Sequence, residues 1–238
     1  GLQGILFVFI GMWIAKYKEQ IEAVCAGLDY RIEVSKAPGD CTRIAREAAL
    51  TGESVPAEKV DHCLTAADNG DVVAAASSKD INFSAIPATT KESFRADADY
   101  VHVCYNNTIF GTKYPEIPET GDVTLVADMS SCIISEPVDV TKFGVIYAGA
   151  QKNMAPAGLT VVIVREDLLG NARPDTPTVM DWNVMAEKES MYNTPSTYPI
   201  YVCGLVLDWI ESLGGIKELE KINRKKAAIL YDFLDESS

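Results

Sequence analysis

From Asp71 onward, short apolar runs rich in β-branched residues alternate with clusters of turn-forming residues. The runs are Val72–Ala76, Tyr100–Tyr105, Val123–Asp128, Gly144–Ala148 and Leu159–Val164. Each is almost continuously apolar and bounded by turn residues, which is the pattern of a strand buried on both faces. Two longer segments then follow a helical period. Ile200–Leu213 ends at Gly214-Gly215, a strong helix stop. Lys217–Leu234 carries Leu219, Ile222, Ala227, Leu230, Phe233 and Leu234 near helical spacing. This mixture predicts an α/β fold with a mostly parallel sheet flanked by helices. Such sheets place ligands beyond the carboxyl ends of their strands.

The first 70 residues have a different texture. Ile5–Ala15 is the most apolar run of the chain. It falls short of the roughly 20 residues that span a bilayer. No basic segment precedes it and no small-residue cleavage site follows, so it reads as a buried strand or strand-to-helix junction rather than a secretory signal. Ala15–Ala26 has helical composition, and further helical stretches are expected near Thr42–Leu50 and Val60–Asp68. The chain therefore divides into a divergent or inserted N-terminal region, 1–70, and a larger domain, 71–238. No internal repeat is visible.

Charge and cysteine usage narrow the function classes. A net charge of −13 argues against nucleic acid, whose phosphates need clustered Lys and Arg. The six cysteines are scattered without a C-x-x-C pair, and only two histidines are present, so no metal site is expected. Scattered free thiols fit a reducing cytoplasm. The partners expected are small molecules, neither nucleic acid nor membrane.

Two residues stand where chemistry is expected. Val145-Ile-Tyr-Ala-Gly-Ala-Gln-Lys152 runs from a buried strand through small residues to a lysine. Small residues allow close approach of a bulky group, and a desolvated lysine acts as an amine nucleophile. The plain alternative is a surface lysine after a strand. Val123-Thr-Leu-Val-Ala-Asp128-Met-Ser-Ser is an apolar strand ending in a carboxylate and two hydroxyls. That carboxylate can hold a ring nitrogen in its protonated form, as a pyridinium electron sink requires. The plain alternative is an Asp capping the following turn. An acid and a lysine at the ends of successive strands suit a cofactor with a cationic ring nitrogen at one end and an aldehyde along its edge.

Beyond these two residues, ordered strings extend from Val72 to the C-terminus. They include Ala76-Ser-Ser-Lys-Asp-Ile-Asn-Phe83, Ala98-Asp-Tyr-Val-His-Val103, Asn106-Asn-Thr-Ile109, Ala127-Asp-Met-Ser-Ser131, Ser135-Glu-Pro-Val-Asp139, Tyr147-Ala-Gly-Ala-Gln-Lys-Asn153, Pro156-Ala-Gly-Leu-Thr160, Tyr192-Asn-Thr-Pro195 and Lys221-Ile-Asn-Arg224. In these strings the chain resembles the phosphoserine aminotransferases, class V members of the fold type I pyridoxal-phosphate enzymes. The resemblance covers about two thirds of the chain. It implies the large domain of that fold and the cofactor pyridoxal 5'-phosphate. It implies that Lys152 forms the Schiff base and shuttles the substrate's α-proton, and that Asp128 pairs with the pyridine nitrogen. Gln151 and Thr108 are implied as cofactor contacts, Thr108 beside the ring. Asn193 and Thr194 match a pair that reaches the neighbouring subunit's cofactor phosphate, which implies a homodimer with a shared site. Read without the family, Asn193-Thr-Pro is a turn and Thr108 a polar loop residue.

The family's N-terminal third and its small C-terminal domain are not matched. Leu2-Gln3-Gly4 resembles the start of a phosphate-binding turn, but Ile5-Leu6-Phe7 replaces the small residues that would let a phosphate approach. Gly11-Met-Trp13 resembles the segment whose ring stacks on the cofactor, which gives Trp13 that role; a tryptophan of an apolar run is the other reading. Thr51-Gly-Glu-Ser54 resembles a P-type ATPase loop, without the membrane helices and Asp-Lys-Thr-Gly site that a pump requires. The activity implied is amino transfer between L-glutamate and 3-phosphohydroxypyruvate, giving 2-oxoglutarate and O-phospho-L-serine. The alternatives are a non-catalytic domain that keeps the fold, and another class V aminotransferase.

Overall fold

Four of the five apolar runs are strands in the computed structural model, which describes residues 30–35, 53–54, 72–174 and 176–237. The expectations for Ile5–Ala15, Ala15–Ala26, Thr42–Leu50, Val60–Asp68, the Leu2-Gln3-Gly4 turn and Trp13 lie outside the described residues. In chain order the strands are β1 Tyr30–Ser35, β2 Glu53–Ser54, β3 Tyr100–Cys104, β4 Asn106–Asn107, β5 Thr112–Lys113, β6 Thr124–Asp128, β7 Val145–Gly149 and β8 Thr160–Arg165. The helices that follow are α1 Trp182–Glu187, α2 Thr197–Ser212 and α3 Ile216–Glu236. The two long helices thus occur where the helical period expects them, extended by a residue or a few at most ends.

The main sheet has six strands in the order β1-β8-β7-β6-β3-β2. Pairings β2–β3, β3–β6 and β6–β7 are parallel, while β8 runs antiparallel to both neighbours. Every strand except β8 therefore points the same way. The two edge strands come from the first 70 residues, where the sequence resemblance supplies no counterpart. β4 and β5 form a separate small hairpin.

Val72–Ala76 is a correction. It is not a strand. Three of its five residues are Ala, a residue depleted in strands. Val73 is left exposed.

Alternation along each strand builds two cores, one per face. Val101, Val103, Leu125, Ala127, Ile146, Ala148, Val161 and Ile163 line one face and pack with Cys203, Ile200 and Leu207 of α2. Tyr100, Val126, Val145, Tyr147, Val162 and Val164 line the other, with Leu168 and Trp182 against them. Each fully buried Val, Leu or Ile contributes roughly 1.5–3 kcal/mol over an exposed one. These faces fix the sheet, so the ends of its central strands are rigid places from which to project functional groups. On the second face His102 Nε2 and the Tyr147 hydroxyl are hydrogen-bonded at 2.8 Å, both buried, which satisfies two polar groups in the core.

Candidate active site

β6 and β7 are adjacent and parallel, so Asp128 and Lys152 emerge at the same edge of the sheet. Asp128 is the last residue of β6. It lies opposite Cys104 of β3 and Tyr147 of β7. Its side chain is half-buried, and Oδ1 accepts a hydrogen bond from the Ser130 backbone N–H at 2.9 Å. This local turn holds the carboxylate at the strand end.

Lys152 follows β7 after Ala150 and Gln151. The chain turns tightly there, with Met154 N–H and Ala155 N–H both donating to Ala150 O. Lys152 Nζ donates to Thr108 Oγ1 at 2.7 Å. The two residues are 44 apart in sequence. Lys152 is exposed, so its amine is open to an incoming molecule. The desolvation expected of a lysine after a buried strand is not supplied by its own strand. It requires whatever binds against it.

Thr108 sits in the turn of the β4–β5 hairpin. Asn107 Oδ1 accepts from Ile109 N–H at 3.0 Å and Phe110 N–H at 3.2 Å, which closes that turn. Tyr114 N–H donates to Tyr105 O, so the hairpin grows directly out of β3. At its far end Lys113 pairs with Glu136. The structure thus brings three of the expected residues, Asp128, Thr108 and Lys152, to the carboxyl ends of β3, β6 and β7.

The remaining expected residues are placed differently. Gln151 is exposed beside Lys152. Asn193 and Thr194 are exposed in the loop leading into α2, and among the described residues no hydrogen bond joins them to Asp128 or Lys152. Trp13 lies outside the described residues.

Sequence reasoning missed what ties these segments together. Ser130 Oγ accepts from Gly149 N–H at 3.0 Å. Ser131 Oγ accepts from Asn106 Nδ2 at 2.8 Å and donates to Asn106 O at 2.9 Å. The two hydroxyls after Asp128 were the available signal; their targets were not readable, because both lie far away in sequence.

A cavity of about 390 Å³ opens elsewhere, lined by Tyr100, Thr124, Val145, Leu168 and Trp182 among others. It sits at the amino ends of the central strands, and its lining includes neither Lys152 nor Asp128. Ligands in such sheets bind at the opposite end. The strand-end constellation is the candidate site.

By chemistry this donor set fits pyridoxal phosphate: an amine for an aldehyde, a carboxylate for a ring nitrogen, a hydroxyl beside both.

Residues 33–238 match the sequence family aminotransferase class-V. The chain is 53% identical over 165 residues to a phosphoserine aminotransferase of Herminiimonas arsenicoxydans, covering 69% of this chain and 46% of that protein. It is 51% identical over 169 residues to one of Lysinibacillus sphaericus, covering 71% of this chain and 47% of that protein. Among solved structures, phosphoserine aminotransferase from Bacillus circulans subsp. alkalophilus superposes with a TM-score of 0.89 at 32% identity, over 96% of this chain and 66% of that one. The pyridoxal-phosphate-bound phosphoserine aminotransferase of Trichomonas vaginalis does so at 0.84 and 26% identity, over 94% and 66%. The chain spans about half the length of the curated relatives it matches.

Proposed function

Because the chain belongs to the class V aminotransferase family, we propose that it is a pyridoxal-phosphate-dependent aminotransferase acting on L-glutamate and 3-phosphohydroxypyruvate, in serine biosynthesis. The observation that carries the reading is the Lys152 Nζ–Thr108 Oγ1 contact of 2.7 Å beside the half-buried Asp128 carboxylate on the adjacent parallel strand. Similarity to named phosphoserine aminotransferases supports these substrates.

Bound pyridoxal phosphate supplies an aldehyde carbon for amine attack and a ring that withdraws electrons from the substrate's α-carbon. The protein supplies the rest. Lys152 Nζ would be the amine that holds the cofactor through its aldehyde. The same amine would serve as the base that takes the substrate's α-proton and as the acid that returns it. Asp128 holds a proton on the ring nitrogen by its negative charge. Thr108 Oγ1 accepts a hydrogen bond from Lys152 Nζ, which keeps the amine over the strand ends between steps. Gln151 would contact the cofactor from beside Lys152, and the family resemblance would give Trp13 a stacking role. Asn193 and Thr194 serve the phosphate of a second subunit, which makes the working unit a homodimer. Its setting is the cytoplasm. Among the described residues no single helix is long and apolar enough to cross a membrane.

Mixing the protein with pyridoxal phosphate is expected to produce a visible absorption band that Lys152→Ala abolishes. Glutamate-dependent formation of phosphoserine from 3-phosphohydroxypyruvate then tests the substrates. A featureless spectrum from the wild-type protein would sink the cofactor assignment. A band without amino transfer would leave the cofactor site and remove the substrates.

A further inference from the structure

The paired registers that β6 makes with β3 and β7 both end at Asp128. The β3–β6 register ends at Cys104↔Asp128, and the β6–β7 register ends at Asp128↔Tyr147. Two more backbone bonds continue them, Tyr105 N–H to Asp128 O at 3.0 Å and Met129 N–H to Tyr147 O at 2.9 Å. Past that point the three segments that carry Asp128, Thr108 and Lys152 diverge, and two serine hydroxyls bridge the gaps.

Ser130 faces β7. Its Oγ accepts from Gly149 N–H, at the last residue of β7 and three residues before Lys152. Gly149 is buried, so that amide has little water available as a substitute partner. Ser130's own N–H donates to Asp128 Oδ1. One residue thus fixes the carboxylate and the root of the lysine loop together. Ser131 faces the other way. Its hydroxyl takes both roles with Asn106, accepting from Nδ2 and donating to the backbone O, at the first residue of the β4–β5 hairpin. Thr108 is two residues further on. A hydroxyl suits both places because a single short side chain both donates and accepts.

We propose that Ser130 and Ser131 are positioning residues that set the spacing of the Asp128 carboxylate, Lys152 Nζ and Thr108 Oγ1, and through it the affinity and protonation of the bound cofactor. This rests on the reading of those three as cofactor residues. A serine that merely stabilised the fold would alter melting without altering the acid–base behaviour of the site. A serine that sets this spacing alters both cofactor affinity and the pH at which the visible band titrates.

The test uses the full chain as wild type, Ser130→Ala, Ser131→Ala, Ser130→Thr and Lys152→Ala. Pyridoxal phosphate is titrated by absorbance, and the band is then followed against pH. Each alanine variant is expected to bind the cofactor about tenfold more weakly, or about 1.4 kcal/mol. In Ser130→Ala the titration midpoint of the band also moves, and Ser130→Thr, which keeps the hydroxyl, restores both quantities. If Ser130→Ala does not fold, the affinity of Ser131→Ala decides the matter. Wild-type affinity in the alanine variants that fold, with an unmoved midpoint in Ser130→Ala, overturns the proposal while leaving the Lys152 assignment intact, provided the wild type shows a band that Lys152→Ala lacks. No band in the wild type overturns both.

Discussion

Two cysteines show how far burial moves a group's chemistry. Burial pushes the Cys132 thiol up to about 12; the Lys113 charge opposes this, and Cys104, Asp128 and Glu136 add to it. Burial alone pushes Cys203 up to about 11. In the unfolded chain both would ionise near the ordinary value of 9.0. A thiol whose native value is raised binds its proton more tightly when folded. Its stabilising contribution is therefore complete below about 9 and is lost as pH rises, through about 11 for Cys203 and about 12 for Cys132. The denaturation midpoint of the wild type should accordingly fall between about pH 8 and about pH 10.5, and less steeply in Cys203→Ala. An equal fall in both proteins would show that the Cys203 thiol plays no part. The same burial makes these two thiols slow to alkylate in the native protein, because the reactive form is the thiolate.

At the scale of elements, the turn between α2 and α3 carries the strongest local demand. The two helices meet at 88°. Gly214 N–H donates to Glu211 O at 2.9 Å, and Gly215 N–H donates to Ile210 O at 3.0 Å, which is a Schellman closure. Gly214 has φ +99°, and a Cβ there would stand 3.1 Å from Glu218 Cγ. Gly214→Ala should cost about 1–2 kcal/mol, read as a lower denaturant midpoint, with Gly214→Asn milder because Asn tolerates this backbone region. Unchanged stability in Gly214→Ala would mean that the turn relaxes freely. This stop was readable from the Gly-Gly pair alone, as were β3, β6, β7 and β8 from their continuous apolar runs. Other features were not. A strand buried on both faces reads the same in either direction, so the reversed course of β8 leaves no mark in its composition. β1 and β2 owe their place to pairing with segments about 50 to 130 residues away, which local pattern does not encode. For the site, the strand-end positions of Asp128 and Lys152 followed from hydrophobic pattern. Thr108 was indicated only by family resemblance, because its approach to Lys152 depends on how a small hairpin folds back.

At the scale of the whole molecule, the question is where Asn193 and Thr194 act. They are exposed ahead of α2, and the outer face of that helix repeats Tyr198, Tyr201, Leu205 and Trp209, all exposed, at helical spacing. An apolar stripe of this kind, on a helix whose other face is already packed against the sheet, would suit the homodimer proposed above. In a twofold homodimer, each site would then combine Lys152 from one chain with Asn193 and Thr194 from the other. That arrangement has a consequence that a monomeric site lacks. Lys152→Ala alone has no amine in either site, and Asn193→Ala/Thr194→Ala alone has weakened phosphate contacts in both. When the two variants are unfolded together in equal amounts and refolded, random pairing makes half of the dimers mixed. Each mixed dimer has one site with every residue intact and one lacking both the amine and the Asn193–Thr194 pair, so about a quarter of all sites should bind pyridoxal phosphate with wild-type affinity. The absorbance titration should show that tight fraction in the mixture and in neither parent. If both groups served a site within one chain, mixing would restore nothing, and the tight fraction would stay at zero whatever the proportions.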